Sequence, residues 1–279
     1  MSKKTLRLDE IGYWSELKLE IVKKYASAYT TILAKQRFLK GLIYIDAFAG
    51  AGSHRSKTGG ETIAGSPVNA MAIQPPFSEL HFVDMDSTRT AALRKIAEGD
   101  ARVTVHDGDC NEVLSQNVFP RCRYEDYRRA LCLLDPYKLN VNWEVLKTAG
   151  EMKSVEVFYN FMIMDANMNV FMKDPGKVTP EQAARMDAVW GDASWRSAVY
   201  KKEPGLFGEM EAKETNDVIA EAFRARLRDV AGFEFVPPPI PMRNDNGSVI
   251  YYLYFASPNQ TGASIVQQIF DKYRTRGAQ

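Results

Sequence analysis

The chain has 279 residues, 45% hydrophobic and 25% charged, an ordinary globular composition with length for one large domain and an inserted or flanking piece. Its 36 Lys and Arg balance 35 Asp and Glu for a net charge of +1, which argues against a globally basic nucleic-acid binder and leaves a local basic face. Three cysteines without a C-x-x-C spacing, Cys110, Cys122 and Cys132, argue against a disulfide framework or structural zinc. No apolar stretch is long enough for a signal peptide or a membrane span, so a cytoplasmic protein with no membrane partner and no metal is expected.

An amphipathic helix is predicted over 12–40, within an N-terminal helical segment 1–40. Trp14, Leu17, Ile21, Tyr25 and Ala28 recur at three- and four-residue steps, with Lys18, Lys23 and Lys24 on the polar positions between them. Residues 42–45 are β-branched and apolar, which suits a strand buried on both faces. The strand ends at Asp46, and the chain turns through Phe48, Ala49, Gly50, Ala51 and Gly52. Glycine at the carboxyl end of a buried strand lets the backbone approach a ligand, because no Cβ intervenes. The polar run 53–64 is longer than a usual strand-to-helix turn. With His54, Arg55 and Lys57 it reads as a solvated loop or as a flap over a cofactor or an anionic substrate. Ser66 and Pro67 read as the N-cap and first-turn proline of a short helix that ends before Pro75 and Pro76.

A second strand is predicted at 80–83, ending in Asp84, Met85 and Asp86, and a helix at 91–98 closed by Gly99. A third strand, 103–105, runs into His106, Asp107, Gly108, Asp109 and Cys110. Residues 121–129 hold four arginines with Tyr124 and Tyr127. They read as a solvated helix face or, alternatively, as a surface that touches phosphate and stacks bases. The most apolar strand, 131–134, buries Cys132 as a small hydrophobe and leads into Asp135, Pro136 and Tyr137. A helix over 143–149 and a strand over 155–164 follow. This alternation calls for an α/β fold whose parallel sheet is covered on both faces.

Residues 165–215 break the rhythm with Trp190, Trp195 and a helix opened by Thr179, with Gln182 in the capping-box position. They read as a helical insertion of the kind that builds substrate selectivity. A helix over 216–230, an edge strand over 233–236 ahead of a proline cluster, an Asn246-Gly247 hairpin turn, a strand over 249–255 and a helix over 261–274 complete a single domain, 1–279.

Three carboxylates, Asp46, Asp84 and Asp109, follow the first three strands, and in an open doubly wound sheet those strand ends converge beside strand one. Asp84 is placed to accept hydrogen bonds from both ribose hydroxyls of an adenosine. Asp109 is placed to meet the adenine amino group, with Cys110 packing on the ring. A dinucleotide fingerprint needs a third glycine where Arg55 stands and an acid about twenty residues further on, so NAD fits less well.

The D-x-F-A-G-x-G turn beginning at Asp46, the acid ending strand two, the Gly108-Asp109 pair and the terminal hairpin together resemble the class I S-adenosylmethionine (SAM)-dependent methyltransferases, over residues 40–165 and 215–257. The resemblance implies a Rossmann-like fold with a mostly parallel seven-stranded sheet ending in an antiparallel hairpin. It implies SAM as cofactor, held by Asp46, Phe48, Ala49, Gly50, Gly52, Asp84, Met85, Asp109 and Cys110. Asp135-Pro136-Tyr137 resembles the D-P-P-Y or N-P-P-Y of enzymes that methylate exocyclic amino groups of adenine or cytosine, with one proline in place of two. In that role a side-chain and a backbone oxygen accept the amino hydrogens and aim the nitrogen lone pair, while the tyrosine stacks on the base. A base in a duplex has to be flipped out to reach such a site.

A narrower resemblance joins Trp14 and Lys18 (W-x-x-x-K), the G-S-P of 65–67, L-D-P-Y and the Y-N-F of 159–161 with the motifs above. Together they are similar to the three-Cys-motif partner family, TcmP, over nearly the whole chain. That family implies a bacterial, methyltransferase-like protein encoded beside a radical-SAM-like three-cysteine companion. Two functions follow from these resemblances. One is a SAM-dependent methyltransferase acting on a nucleobase or nucleic-acid amino group, with Asp135, Pro136 and Tyr137 as catalytic positions. The other is a non-catalytic partner that binds the three-cysteine companion.

Overall fold

Leu42 and Tyr44 project from one side of the first strand and Ile43 and Ile45 from the other, and all four are buried. A strand with no wet face must lie inside a sheet that is covered twice. The computed structural model, which describes residues 9–57, 59–205, 208–244 and 246–274, has that arrangement. Its main sheet contains β1 (Gly41–Asp46), β2 (Glu79–Asp84), β3 (Val103–Asp107), β4 (Arg128–Leu134), β5 (Val155–Phe161), β6 (Ile240–Arg243) and β7 (Val249–Ala256). The spatial order is β6-β7-β5-β4-β1-β2-β3. β1 pairs in parallel with both β2 and β4, whereas β7 runs antiparallel to β5 and β6. This is a Rossmann-like α/β fold, a mostly parallel seven-stranded sheet with a reversed terminal hairpin.

Helices α1 (Tyr13–Leu33), α2 (Ser66–Met71) and α3 (Ser87–Ile96) cover one face of the sheet. The other carries α4 (Cys110–Val113), α5 (Trp143–Met152), α6 (Ile163–Asn169), α7 (Pro180–Trp190), α8 (Trp195–Val199) and α9 (Asn216–Asp229), and α10 (Gln260–Arg274) returns to the first face. On the second face the core centres on Phe223 of α9. Its ring stacks on Phe161 at 4.6 Å between centroids and meets Trp190 and Tyr254 edge-on at 5.3 and 5.4 Å. Edge-to-face and offset contacts of this kind add to plain burial. No helix among the described residues is long and apolar enough to cross a membrane.

Several elements differ from the sequence reading, each for a local reason. α1 stops at Leu33, and residues 34–40 turn toward β1. β5 ends at Phe161, and the apolar run continues as α6, where Ile163 and Ala166 keep a helical spacing into the core. Residues 121–129 are no helix: a tight turn ends at Arg121, Tyr127 takes φ +57°, and β4 begins at Arg128. Residues 233–236 supply only a single bridge, Phe235 to Ser257, and the edge strand forms after the prolines, over Ile240–Arg243. Proline lacks the N–H a ladder needs, so pairing is deferred past Pro239, and Pro241 is tolerated because its strand is an edge.

α2 starts at Ser66 with Gly65 in the cap position. The expected loop at 53–64 is a strand pair, Ser53–Ser56 with Thr62–Ala64, and Glu10–Ile11 lies parallel beside it. Beyond its helices, the 165–215 segment contains an antiparallel ribbon, Tyr200–Gly205 against Gly208–Lys213. The Thr179–Gln182 capping box forms as expected.

Phe223→Ala removes the ring on which the second-face core converges. We expect it to cost about 3–5 kcal/mol of unfolding free energy in urea titrations; a loss below about 1 kcal/mol would show that the surrounding rings repack around the cavity.

Candidate active site

The site begins at the carboxyl end of β1. Asp46 is fully buried, and its Oδ1 accepts the Phe48 N–H at 3.3 Å. Its Oδ2 has no hydrogen-bond partner among the described residues. Burial pushes this carboxyl up to about 7, opposed most by the nearby Ser66 hydroxyl; the Asp135 charge adds to the rise, and the Phe48 N–H and Lys18 oppose it. The turn beyond places Gly50 at φ +63° and Gly52 at φ +80°, backbone that side-chain-bearing residues rarely adopt. A Cβ on Gly50 would meet nothing within 4 Å, so this backbone faces open space. On Gly52 it would come within 3.0 Å of Ile96, so Gly52 seats the turn on α3.

Asp84, at the end of β2, ties the turn down. Its Oδ2 accepts the Gly50 N–H at 3.0 Å, and its Oδ1 accepts the Asp86 N–H at 2.8 Å. One further lone pair on each oxygen is left for a ligand. Asp109 caps α4, its Oδ1 accepting the backbone and side-chain N–H of Asn111 at 2.7 and 2.8 Å. Between these two carboxylates lies a cavity of about 310 Å³, walled by Phe48, Met85 and Cys110. Burial pushes the Cys110 thiol up to about 12, so it serves as an apolar wall and not as a nucleophile.

A second cavity, of about 200 Å³, adjoins the first and shares Phe48 and Tyr137 with it. Asp135, following β4, stands in this cavity and is held from two sides. Lys18 of α1 forms an ion pair with its Oδ2, and the Asn160 amide of β5 donates to its Oδ1. Burial alone would lower the Lys18 ammonium, but the Asp135 charge and hydrogen bond outweigh it and raise it above its ordinary value. The ammonium also lies 5.6 Å from the centre of the Tyr251 ring. In and beside this cavity three buried polar atoms have no hydrogen-bond partner among the described residues: the Tyr251 hydroxyl, Asn160 Oδ1 and His54 Nδ1. Burial and then the Lys18 charge hold His54 below its usual range, which keeps the ring neutral.

Asp9 bridges Tyr137 and Arg89 beside the junction of the two cavities. Tyr137 donates its hydroxyl to Asp9 at 3.0 Å, and Arg89 pairs with the same carboxylate at 3.0 Å while approaching Asp84 at 3.8 Å. The Arg89 guanidinium lies 5.8 Å from the Tyr137 ring centre.

Of the residues singled out in the sequence, Phe48, Asp84, Met85, Asp109, Cys110 and Tyr137 line the first cavity. Phe48, Ala49, Gly50, Asp135, Pro136 and Tyr137 line the second. Asp46 and Gly52 line neither and lie behind the turn. His54 reaches the second cavity, whereas Arg55 and Lys57 do not. Helical periodicity placed Lys18 among solvent-facing residues, but it is buried. Its ammonium has a partner beyond its own helix, which periodicity does not register. Asn160 was legible as a lone amide inside an apolar strand that needs a buried partner. Nothing local marked Asp9, Arg89 or Tyr251.

No protein-family model and no curated protein matches the chain. Among solved structures it is similar to protein LPL1258 of Legionella pneumophila str. Philadelphia 1, at a TM-score of 0.51 and 12% identity over 92% of this chain and 91% of that one. A Thermobifida fusca YX protein gives 0.40 and 14% over 85% and 80%. Geranyl diphosphate methyltransferase, solved with SAM, gives 0.31 and 11% over 83% and 84%. The first of these shares the fold along nearly its whole length; identities this low speak to fold alone.

Asp46 should make stability pH-dependent in a defined direction. Between about pH 4 and pH 7 the folded chain holds a proton on Asp46 that the unfolded chain has lost, so this group's contribution falls as pH rises. Asp46→Asn should therefore gain on the wild type by up to about 1.4 kcal/mol per pH unit across that window and level off above it. Denaturant unfolding of both proteins at about pH 5 and about pH 8 checks this; a difference that does not change with pH would mean that Asp46 is ionised throughout.

Proposed function

We propose that this chain is a SAM-dependent methyltransferase acting on an exocyclic amino group of a nucleobase, free or within a nucleic acid. The observation that carries this reading is the pair of adjoining cavities with a shared Phe48–Tyr137 wall, one holding Asp84 and Asp109 and the other Asp135 and Pro136. The first suits SAM. Gly50 leaves room for close approach, Asp84 keeps lone pairs for the ribose hydroxyls, Asp109 stands toward the adenine edge, and Met85 and Cys110 offer apolar contact. SAM would supply an electrophilic methyl group.

The chain's own part is to position the acceptor. Lys18 and Asn160 fix the Asp135 carboxylate, which has lone pairs left for an amino hydrogen. The Pro136 carbonyl can take the other hydrogen. The half-exposed Tyr137 ring provides a face for the base, and His54 and Tyr251 provide unpartnered polar atoms for its edge. A near-neutral chain suits recognition of the base in a pocket better than affinity for many phosphates.

Calorimetry with SAM should give micromolar binding to the wild type and at least about a thirtyfold loss in Asp84→Ala, which is about 2 kcal/mol. Asp135→Ala should lower methyl transfer to adenine- or cytosine-containing oligonucleotides by about a hundredfold or more while leaving SAM affinity within a few fold. If binding falls as far as transfer, the positioning role is wrong.

The narrower likeness to the three-Cys-motif partner family supports a second reading, a scaffold for the radical-SAM-like companion. The ribbon Tyr200–Gly205 with Gly208–Lys213, separate from the main sheet, favours it, because a two-stranded ribbon has open edges on which another chain can pair. Co-purification of a heteromer that forms equally well with Asp84→Ala and Asp135→Ala, alongside a wild type that transfers no methyl group, would decide for the scaffold.

A further inference from the structure

A third cavity, of about 360 Å³, opens at the opposite end of the sheet, beside the amino ends of β4 and β5 and the last turn of α1. It shares no lining residue with the two cavities of the active site. Its volume lies in the range of small-ligand pockets.

The lining is graded from floor to mouth. At the floor, Glu156 accepts from the Tyr25 hydroxyl and from Ser257 Oγ at 2.8 Å. Beside it the Tyr29 hydroxyl is buried with no hydrogen-bond partner among the described residues. An orphaned buried hydroxyl costs about 1–3 kcal/mol, which a ligand that pairs with it would recover. Burial pushes the Glu156 carboxyl up to about 7, so near neutrality it can accept or donate.

The mouth has the opposite character. Arg129 and Lys153 line it; Arg129 Nη1 donates to the Arg128 carbonyl at 2.7 Å and the Lys153 ammonium to the Gly232 carbonyl, and neither lies within ion-pair distance of a carboxylate among the described residues. The Arg129 guanidinium carbon lies over the Tyr124 ring at 3.9 Å from its centre, and Phe38 and Tyr124 remain about half exposed. Cations next to exposed rings suit a ligand that joins an anionic group to a flat ring. This is where the arginine- and tyrosine-rich run of 121–129 ends.

We propose that this cavity is a second binding site, for a mononucleotide. Its phosphate would meet Arg129 and Lys153, its base would lie against Phe38 and Tyr124, and the hydrogen-bonding edge of the base would reach Tyr29 and Glu156. The site binds and does no chemistry.

The test is a calorimetric titration of the whole protein with AMP, adenosine and a 5′-phosphorylated oligoadenylate. AMP should bind at least about tenfold more tightly than adenosine, because the phosphate contacts are the added ones. Arg129→Met should weaken AMP by about tenfold or more, and Asp84→Ala, which disables the other adenosine-sized cavity, should leave it unchanged. Tyr29→Phe removes an unpaired hydroxyl at nearly constant volume, so it should match or exceed the wild type in thermal stability and still bind AMP more weakly. This variant keeps the proposal testable if Arg129→Met does not fold. Tighter binding of the oligonucleotide than of AMP would identify a strand end as the source of the nucleotide; the reverse would identify the free form. The proposal is overturned if AMP shows no binding at a Kd of about 1 mM or tighter, if adenosine binds equally well, or if Asp84→Ala abolishes AMP binding while Arg129→Met and Tyr29→Phe do not.

Discussion

An ammonium sealed from water must be met by negative charge, and Lys18 meets Asp135. That pair ties the first turns of α1 to the end of β4, and Asn160 draws in β5 through the other carboxylate oxygen. Three elements far apart in sequence are thereby fixed at the edge of the sheet where the cavities open. A buried ion pair of this kind adds little to stability on balance, because desolvation offsets much of the attraction. Its effect is directional: the carboxylate is held in one orientation before any ligand arrives, which is what positioning chemistry requires.

The turn after β1 is held in a comparable way, by backbone geometry and one carboxylate. Two glycines in left-handed conformations bend the chain, and Asp84 accepts the N–H that the bend exposes. The carboxylate that holds the turn is the same group that faces the first cavity. Asp46 pursues the same end from behind: it accepts the Phe48 N–H at the cost of burying an acid.

Much of this was legible in the order of residues. Strands β1, β2 and β4 announced themselves through apolar runs that end in acids; the positions of Asp84 and Asp109 followed from the convergence of strand ends, and that of Asp135 from the resemblance of its D-P-Y to a known motif. The Asn246-Gly247 turn fixed the reversed hairpin. What escaped was set by contacts distant in sequence. Lys18 looked solvent-facing because its partner lies 117 residues away. The strand pair at 53–64 is joined along one edge by residues 10 and 11, which lie outside the local pattern. Proline displaced the edge strand by removing donors exactly where apolar residues would otherwise have paired, and the arginines of 121–129 divide between a turn and the start of β4.

The common wall of the two cavities has a thermodynamic consequence. Phe48 and Tyr137 are each in contact with both spaces, and Tyr137 is anchored by Asp9 and Arg89, the latter beside Asp84. A molecule that settles one of these rings on its own side changes the surface offered on the other. Any dependence of affinity in one compartment on occupancy of the other would have to be equal in size in both directions. Whatever the order of arrival, the free energy of filling both compartments is the same.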